Sequence, residues 1–241
     1  MMRALILRAF LGMMLTACTT GTPTPVPVTL TLTETPAPAD ATATGAAPTN
    51  QPTAASPAPT GTLLYGFDTT RTTASYSVEE TFINENNRLA VTVGRTRDVQ
   101  GSLAINFDDP ANSQFGEFTV NLSTLRSDSR RRDETLKTEW LESTTYPTAT
   151  FVVKSVENFP ANPQPGQELT FRLLGDLTVR TTTRAVTWDV TAKLEGDTLT
   201  GTATTFIMMA DFGIQPPSIA GILNVKDGVT LKLEFVMLPA E

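Results

Sequence analysis

The feature that most constrains the fold is an alternation of apolar and polar side chains that recurs through residues 63–241. It is clearest at 229–237, where Val, Leu, Leu, Phe and Met occupy every second position, and it repeats at 186–194 and 118–122. Because successive side chains of a strand point to opposite faces, a period of two predicts strands with one buried face. The chain should therefore fold as an all-β domain.

Weaker runs of the same period predict six further strands, at 74–83, 88–93, 103–107, 149–156, 168–179 and 199–208. Turn-forming stretches separate them, such as Asp-Asp-Pro at 108–110 and Glu-Gly-Asp at 195–197. About nine sequential strands are typical of a barrel or of a sandwich, and periodicity alone does not choose between them.

One segment predicts a helix. Asp133 suits a helix N-terminus, and Leu136, Trp140 and Leu141 fall on one helical face. Pro147 prevents the helix from continuing, because proline lacks the backbone N–H that a helix interior needs. We therefore expect a single short helix in an otherwise all-β domain.

Residues 1–17 have the features of an export signal. Arg3 and Arg8 precede an apolar run at 9–15, and Leu-Thr-Ala stands directly before Cys18, the single cysteine. This arrangement is typical of a secretory signal peptide. A cysteine in this position resembles the bacterial lipobox, in which it is lipidated; an ordinary signal peptide with an incidental cysteine is the alternative. We expect acyl chains on Cys18 to anchor an extracytoplasmic protein to the cell membrane or outer membrane.

The segment 18–62 is predicted to be a lipidated cysteine followed by a disordered linker. Residues 19–62 hold nine of the seventeen prolines, no aromatic residue, and only Glu34 and Asp40 as charges. Such a composition cannot bury enough apolar surface to offset its ordering entropy. A plain tether is the interpretation we favour, and an O-glycosylated stalk is the alternative. The folded domain is predicted to span 63–241.

Composition excludes several classes of function. With 18 basic and 25 acidic residues, the chain is too acidic to favour a nucleic-acid surface. The absence of histidine removes His-dependent catalytic triads and HExxH zinc sites, and one cysteine cannot form an intrachain disulfide or a Cys-rich metal site. No G-x-S-x-G motif or convergent carboxylate pair is visible. We therefore expect a protein that is not an enzyme, with no catalytic residue, metal or cofactor.

Two phrases about forty residues apart carry a family resemblance. Residues 131–136 read Arg-Arg-Asp-Glu-Thr-Leu, with Tyr-Pro following at 146–147, and residues 175–186 read Gly-Asp-Leu-Thr-Val-Arg-Thr-Thr-Thr-Arg-Ala-Val. In this order they resemble the YceI-like family of bacterial lipid- and polyisoprenoid-binding proteins, over roughly 64–237. The resemblance implies a lipocalin-like antiparallel β-barrel around an apolar cavity. It also implies a carrier whose ligand is a hydrophobic chain: a polyisoprenoid, an isoprenoid quinone or a fatty-acyl lipid.

The resemblance turns the inner faces of the predicted strands into a candidate lipid site. Alternation places twelve apolar side chains inward: Val78, Phe118, Val120, Phe151, Val153, Phe171, Leu173, Trp188, Val190, Leu231, Leu233 and Phe235. A barrel interior either holds one ligand or is filled by its own side chains. In the filled case the domain would be a surface adhesion or scaffold module with no small-molecule ligand.

The only dense basic cluster is formed by Arg130, Arg131 and Arg132. It could hold the phosphate or carboxylate head group of a lipid at the mouth of the barrel. The alternative is a solvated turn whose charge is neutralised locally by Asp133 and Glu134. The sequence does not indicate the oligomeric state.

Overall fold

The computed structural model describes residues 60–240, except 161, 162, 164 and 165. The predicted signal peptide, the predicted lipidation site Cys18 and the linker up to residue 59 lie outside the described residues. The first strand begins at Thr62, one residue before the predicted start of the domain. In the part of the chain that the structure describes, no helix has the length and apolar character needed to cross a bilayer.

Thirteen strands make up the described domain. They are β1 (Thr62–Phe67), β2 (Thr73–Phe82), β3 (Arg88–Thr96), β4 (Val99–Gln100), β5 (Ser102–Asn106), β6 (Gln114–Phe115), β7 (Glu117–Asn121), β8 (Thr148–Glu157), β9 (Glu168–Val179), β10 (Thr182–Glu195), β11 (Thr198–Met208), β12 (Ser218–Ile219) and β13 (Leu223–Pro239). The nine predicted strands are confirmed as β2, β3, β5, β7 to β11 and β13. Of the four that were not predicted, three have only two residues each, and in β1 the exposed Leu64 breaks the alternation.

The predicted helix is confirmed. Helix α1 (Arg130–Thr135) is capped at its start by Ser129, whose hydroxyl oxygen accepts a hydrogen bond from the backbone N–H of Arg132. It continues as one wider turn of π-helix over Leu136–Trp140. Leu136, Trp140 and Leu141 pack against the core of the barrel, as their shared face predicts. Glu142 then adopts a left-handed φ of 47°, so the helical segment ends before Pro147.

The strands form one antiparallel sheet that curls into a barrel. Neighbours follow the order β4, β7, β8, β9, β10, β11, β13, and β13 is long enough to pair with β2 over its first part and with β1 at its end. Strand β2 pairs with β3, which leads directly into β4, and β4 pairs with β7. Because β3 continues along the chain into β4, the curled sheet closes through the two residue pairs that β4 forms with β7. The predicted antiparallel barrel with one short helix is confirmed.

The two ends of the barrel differ. At the helix end, α1 and the π-helical turn lie beside the tight turn between β9 and β10, where Arg180 donates a hydrogen bond of 3.4 Å to the carbonyl of Trp140. At the loop end lie the turn between β10 and β11, the connection from β8 to β9, and the connection from β5 to β6. The first strand also starts at the loop end, since Thr62 pairs with Asn106.

Candidate functional site

The barrel encloses an apolar cavity of about 1200 Å³. Eleven of the twelve side chains predicted to point inward line it: Phe118, Val120, Phe151, Val153, Phe171, Leu173, Trp188, Val190, Leu231, Leu233 and Phe235. The twelfth, Val78, is half-buried on β2 and does not line the cavity. From the same strand, Tyr76 lines it instead. Alternation within single strands thus assembles an apolar wall from β7 to β10 and, beyond β11, from β13.

The interior is not filled by its own side chains. Phe118, Leu233 and Phe235 point into the barrel, yet each is only half-buried. Protein cores are packed about as densely as organic crystals, so inward side chains in a filled barrel would be almost completely covered. Other lining residues, such as Val99 at 1% and Val190 at 3% exposure, are covered by their neighbours, and a space of about 1200 Å³ still remains between the walls. The filled-core alternative is therefore not what the described residues form.

Aromatic rings form much of the wall. Phe151 and Trp188 meet with ring centroids 5.9 Å apart, and Phe67 and Phe118 meet at 5.8 Å. The indole N–H of Trp188 is buried and has no hydrogen-bond partner within the described residues. Trp188 therefore contributes an apolar surface to the cavity and no accessible donor.

Several of the polar residues that line the cavity lie towards its ends. Tyr76 lines it from the side of α1, and burial raises the pKa of its phenol to about 12, while the nearby Arg132 guanidinium acts in the opposite direction. At the other end Asp109, Lys154 and Gln167 line the cavity and are exposed. A chain molecule in the middle of the barrel would meet mainly hydrocarbon and aromatic surface.

The cavity reaches the protein surface at the loop end. Val156 and Phe159 line it and are 36% and 37% exposed, and the ring of Phe159 packs on that of Phe171 with centroids 5.3 Å apart. The chain enters the domain beside this opening: the Gly61 carbonyl accepts from the N–H of Phe107 at 2.9 Å, and Phe107 lines the cavity. The opening and the start of the domain therefore share one end of the barrel.

The arginine cluster lies at the helix end, and none of its three side chains lines the cavity. Arg130 and Arg131 are exposed, whereas Arg132 is half-buried and contacts Glu80 on β2 and Asp128. The structure therefore separates the cluster from the cavity opening, where a head group was expected to lie.

Asp133 has a structural role beside the cluster. It is 4% exposed and accepts hydrogen bonds from the backbone N–H of Ser127 at 2.9 Å and from its hydroxyl at 2.7 Å. These contacts fix the chain as it enters α1. The Arg-Asp pair of the first family phrase thus joins the helix to the barrel, through Arg132 to β2 and through Asp133 to the preceding turn.

Sequence reasoning missed one side of the wall. Residues of β1, β5 and β6 also line the cavity, namely Phe67, Leu103, Ile105 and Phe115. The alternation of Leu103, Ile105 and Phe107 was a sufficient signal for the middle strand. For β1 and β6 the strands are too short or too irregular to show a period. Within the described part of the chain, no cluster of three or more acidic or cysteine side chains could hold a metal ion.

A curled antiparallel barrel around a wide apolar cavity defines a lipocalin-like protein. The YceI-like domain matches residues 65–237 of this sequence, and the chain belongs to that family.

Two solved structures share the fold. BcnA of Burkholderia cenocepacia has a TM-score of 0.55 and 20% identity, covering 70% of this chain and 98% of that one. A polyisoprenoid binding domain from Saccharophagus degradans, implicated in plant cell wall breakdown, has a TM-score of 0.55 and 14% identity, covering 74% of this chain and 99% of that one. At these identities the likeness shows the fold alone. A comparison with curated proteins found no match.

Proposed function

We propose that this protein is a membrane-anchored extracytoplasmic carrier that holds a hydrophobic chain lipid in its barrel, for sequestration or transfer. The ligand is a polyisoprenoid, an isoprenoid quinone or a fatty-acyl lipid. The observation that carries the proposal is the apolar cavity of about 1200 Å³, which the inward side chains leave open. Pockets for drug-sized ligands are about 300–1,000 Å³, so this volume suits a larger molecule.

The chemistry of the wall favours a chain over a polar ligand. Each CH₂ group that leaves water for an apolar site contributes about 0.8 kcal/mol. A long chain therefore binds well without a polar anchor, even after the cost of lost translational and internal freedom. The proposal assigns no catalytic step to the barrel.

The comparison with the Saccharophagus degradans domain supports the same class of ligand. That protein is a polyisoprenoid binding domain, and it shares the fold over almost its whole length. We infer a similar ligand class for this chain because the inner wall here is hydrophobic on every strand that lines it.

The membrane part of the proposal comes from the sequence before the domain. The lipobox at Cys18 would place acyl chains in a bilayer, and the linker would join them to the barrel. The described domain begins beside the cavity opening, so the linker would join the barrel at the end where the cavity opens. A carrier tethered in this way would stay near the membrane with which it exchanges a lipid.

Lipid extraction from the purified full chain tests the proposal. We expect organic extracts, analysed by mass spectrometry, to contain a chain lipid at a molar ratio of about one to the protein. Leu233→Trp adds bulk inside the cavity and should abolish this lipid, whereas Val91→Trp adds it on the outer face, where Val91 is 65% exposed, and should not. An empty wild-type barrel that also binds no isoprenoid quinone, prenyl alcohol or fatty acid would contradict the carrier function.

A further inference from the structure

We propose that glycines on and between the strands set the width of the cavity, because they allow inward aromatic rings to lie flat against the barrel wall. The position of the rings over the glycines is independent of the ligand. The consequence, selection of the ligand by length and bulk, rests on the proposed lipid-binding function.

In two places the ring and the glycine are direct partners across neighbouring strands. Gly94 on β3 pairs with Tyr76 on β2, and a Cβ atom on Gly94 would lie 2.2 Å from Cε1 of the tyrosine ring. Gly201 on β11 pairs with Phe235 on β13, and a Cβ there would lie 2.5 Å from Cζ of that ring. In both cases the ring occupies space that a side chain at the glycine position would need, and at Gly201 the Thr191 carbonyl oxygen is closer still, at 2.4 Å.

Rings also lie over two glycines that are not their direct partners, Gly175 on β9 and Gly101 between β4 and β5. A Cβ on Gly175 would lie 2.8 Å from Cζ of Phe151, and a Cβ on Gly101 would lie 2.4 Å from Cδ1 of Phe118. All four rings, those of Tyr76, Phe118, Phe151 and Phe235, line the cavity. The arrangement therefore recurs around the barrel, on β2, β7, β8 and β13.

The physical effect of each pair is to keep bulk out of the interior. Side chains of a strand otherwise stand roughly perpendicular to the sheet, which inside a barrel means toward its axis. A ring that covers a neighbouring glycine lies along the wall instead, and it also protects the backbone that glycine leaves bare. A barrel of about eight strands is just wide enough for its side chains to fill it, so the direction of a few rings decides whether it is hollow.

The outside of the barrel provides a matched control. A Cβ on Gly228 would lie 2.3 Å from Cζ of Phe206, a ring that is 65% exposed. At Gly94 and at Gly228 alike, the three nearest atoms all belong to the aromatic side chain. An alanine at either position therefore displaces a ring and leaves the backbone in place. By contrast, a Cβ on Gly175 would meet the Val152 carbonyl at 2.2 Å.

The test compares Gly94→Ala with Gly228→Ala in the full chain, with a short prenyl alcohol (farnesol) and a long one (solanesol) as probes. We expect Gly94→Ala to turn the Tyr76 ring into the cavity and to weaken solanesol binding about tenfold, with a much smaller effect on farnesol. Gly228→Ala should change neither affinity. Adding Tyr76→Leu to Gly94→Ala removes the displaced ring and should restore solanesol binding.

Crystal structures of both variants give a readout that does not depend on the ligand. If wild-type protein binds neither probe but the Tyr76 ring moves inward in Gly94→Ala, the polyisoprenoid form of the proposed function fails and the role of the glycine in shaping the cavity stands. If the ring stays in place, or if both variants lose binding equally, the inference is overturned. A Gly94→Ala chain that does not fold also overturns it, because a ring facing open space can move without unfolding the barrel.

Discussion

The Glu80 carboxylate on β2 is 3% exposed and lies 3.4 Å from the Arg132 guanidinium on α1. This contact joins the helix to the barrel wall at the end opposite the cavity opening. Removing one partner of a buried ion pair is much more harmful than the pair is stabilising, because the other charge remains buried alone.

We therefore predict that Arg132→Ala lowers the free energy of unfolding by about 3 kcal/mol. Arg131→Ala is the control, since Arg131 is exposed, and its effect should stay within about 0.5 kcal/mol. Urea unfolding measures both values. Arg131→Ala should also leave ligand affinity unchanged. A marked loss of affinity would indicate that the arginine cluster does bind the head group of the ligand.

Trp188 is predicted to behave as part of a cavity wall and not as a plug. Because it is only half-buried, Trp188→Ala should cost less than the roughly 3–5 kcal/mol of a fully packed aromatic residue. Phe212, which is 3% exposed, provides the comparison, and Phe212→Ala should show that full cost. Added ligand should offset the loss in Trp188→Ala, because it binds only the folded state. A large destabilisation that no chain lipid reduces would contradict this role.

The strands and part of the cavity wall can be predicted from the sequence, whereas the hollow interior and the contact between Glu80 and Arg132 cannot. Alternation and one helical face predict nine strands and the helix, and eleven of the twelve residues predicted to point inward line the cavity. The wall on β1, β5 and β6 was not predicted. The hollow itself depends on how rings lie over glycines such as Gly94 on a neighbouring strand, and pairing between distant segments is not visible in a single-strand pattern. For Arg132, the neighbouring charges in the sequence indicate a solvated turn. Its partner Glu80 lies fifty-two residues away, so the sequence does not reveal the contact.

The stability of the domain should fall at alkaline pH in a window that Tyr76 partly sets. Burial raises the pKa of this phenol to about 12 in the folded protein, against about 10 for an unfolded tyrosine. The stability that the neutral Tyr76 phenol contributes is therefore fully present below pH about 10 and is lost as pH rises through about 12. Unfolding free energies of wild type and Tyr76→Phe should stay parallel below this window and converge or cross within it. Parallel curves throughout would show that the phenol is not shielded from solvent.

Cys18 is predicted to carry the membrane anchor. Cys18→Ser removes the sulfur that accepts the lipid, so the variant should leave the membrane fraction or remain uncleaved. Thr19→Ser, one residue further on, retains the cysteine and should partition like wild type. Fractionation with metabolic labelling by a fatty acid measures both properties. A Cys18→Ser protein that is still mature and membrane-bound would mean that another feature provides the attachment.

The opening of the cavity is predicted to lie close to the membrane that holds the anchor. An environment-sensitive fluorophore on Val156→Cys reports from the opening, and the same fluorophore on Leu89→Cys reports from the helix end, where Leu89 is 75% exposed. With Cys18 blocked by its lipid, each variant has one reactive thiol. In vesicles that contain quencher lipids, we expect strong quenching at position 156 and little at 89, since bilayer contact brings only one end within reach. Equal quenching at both positions would mean that the linker lets the barrel tumble freely, and quenching at 89 alone would mean that the opening faces away from the membrane.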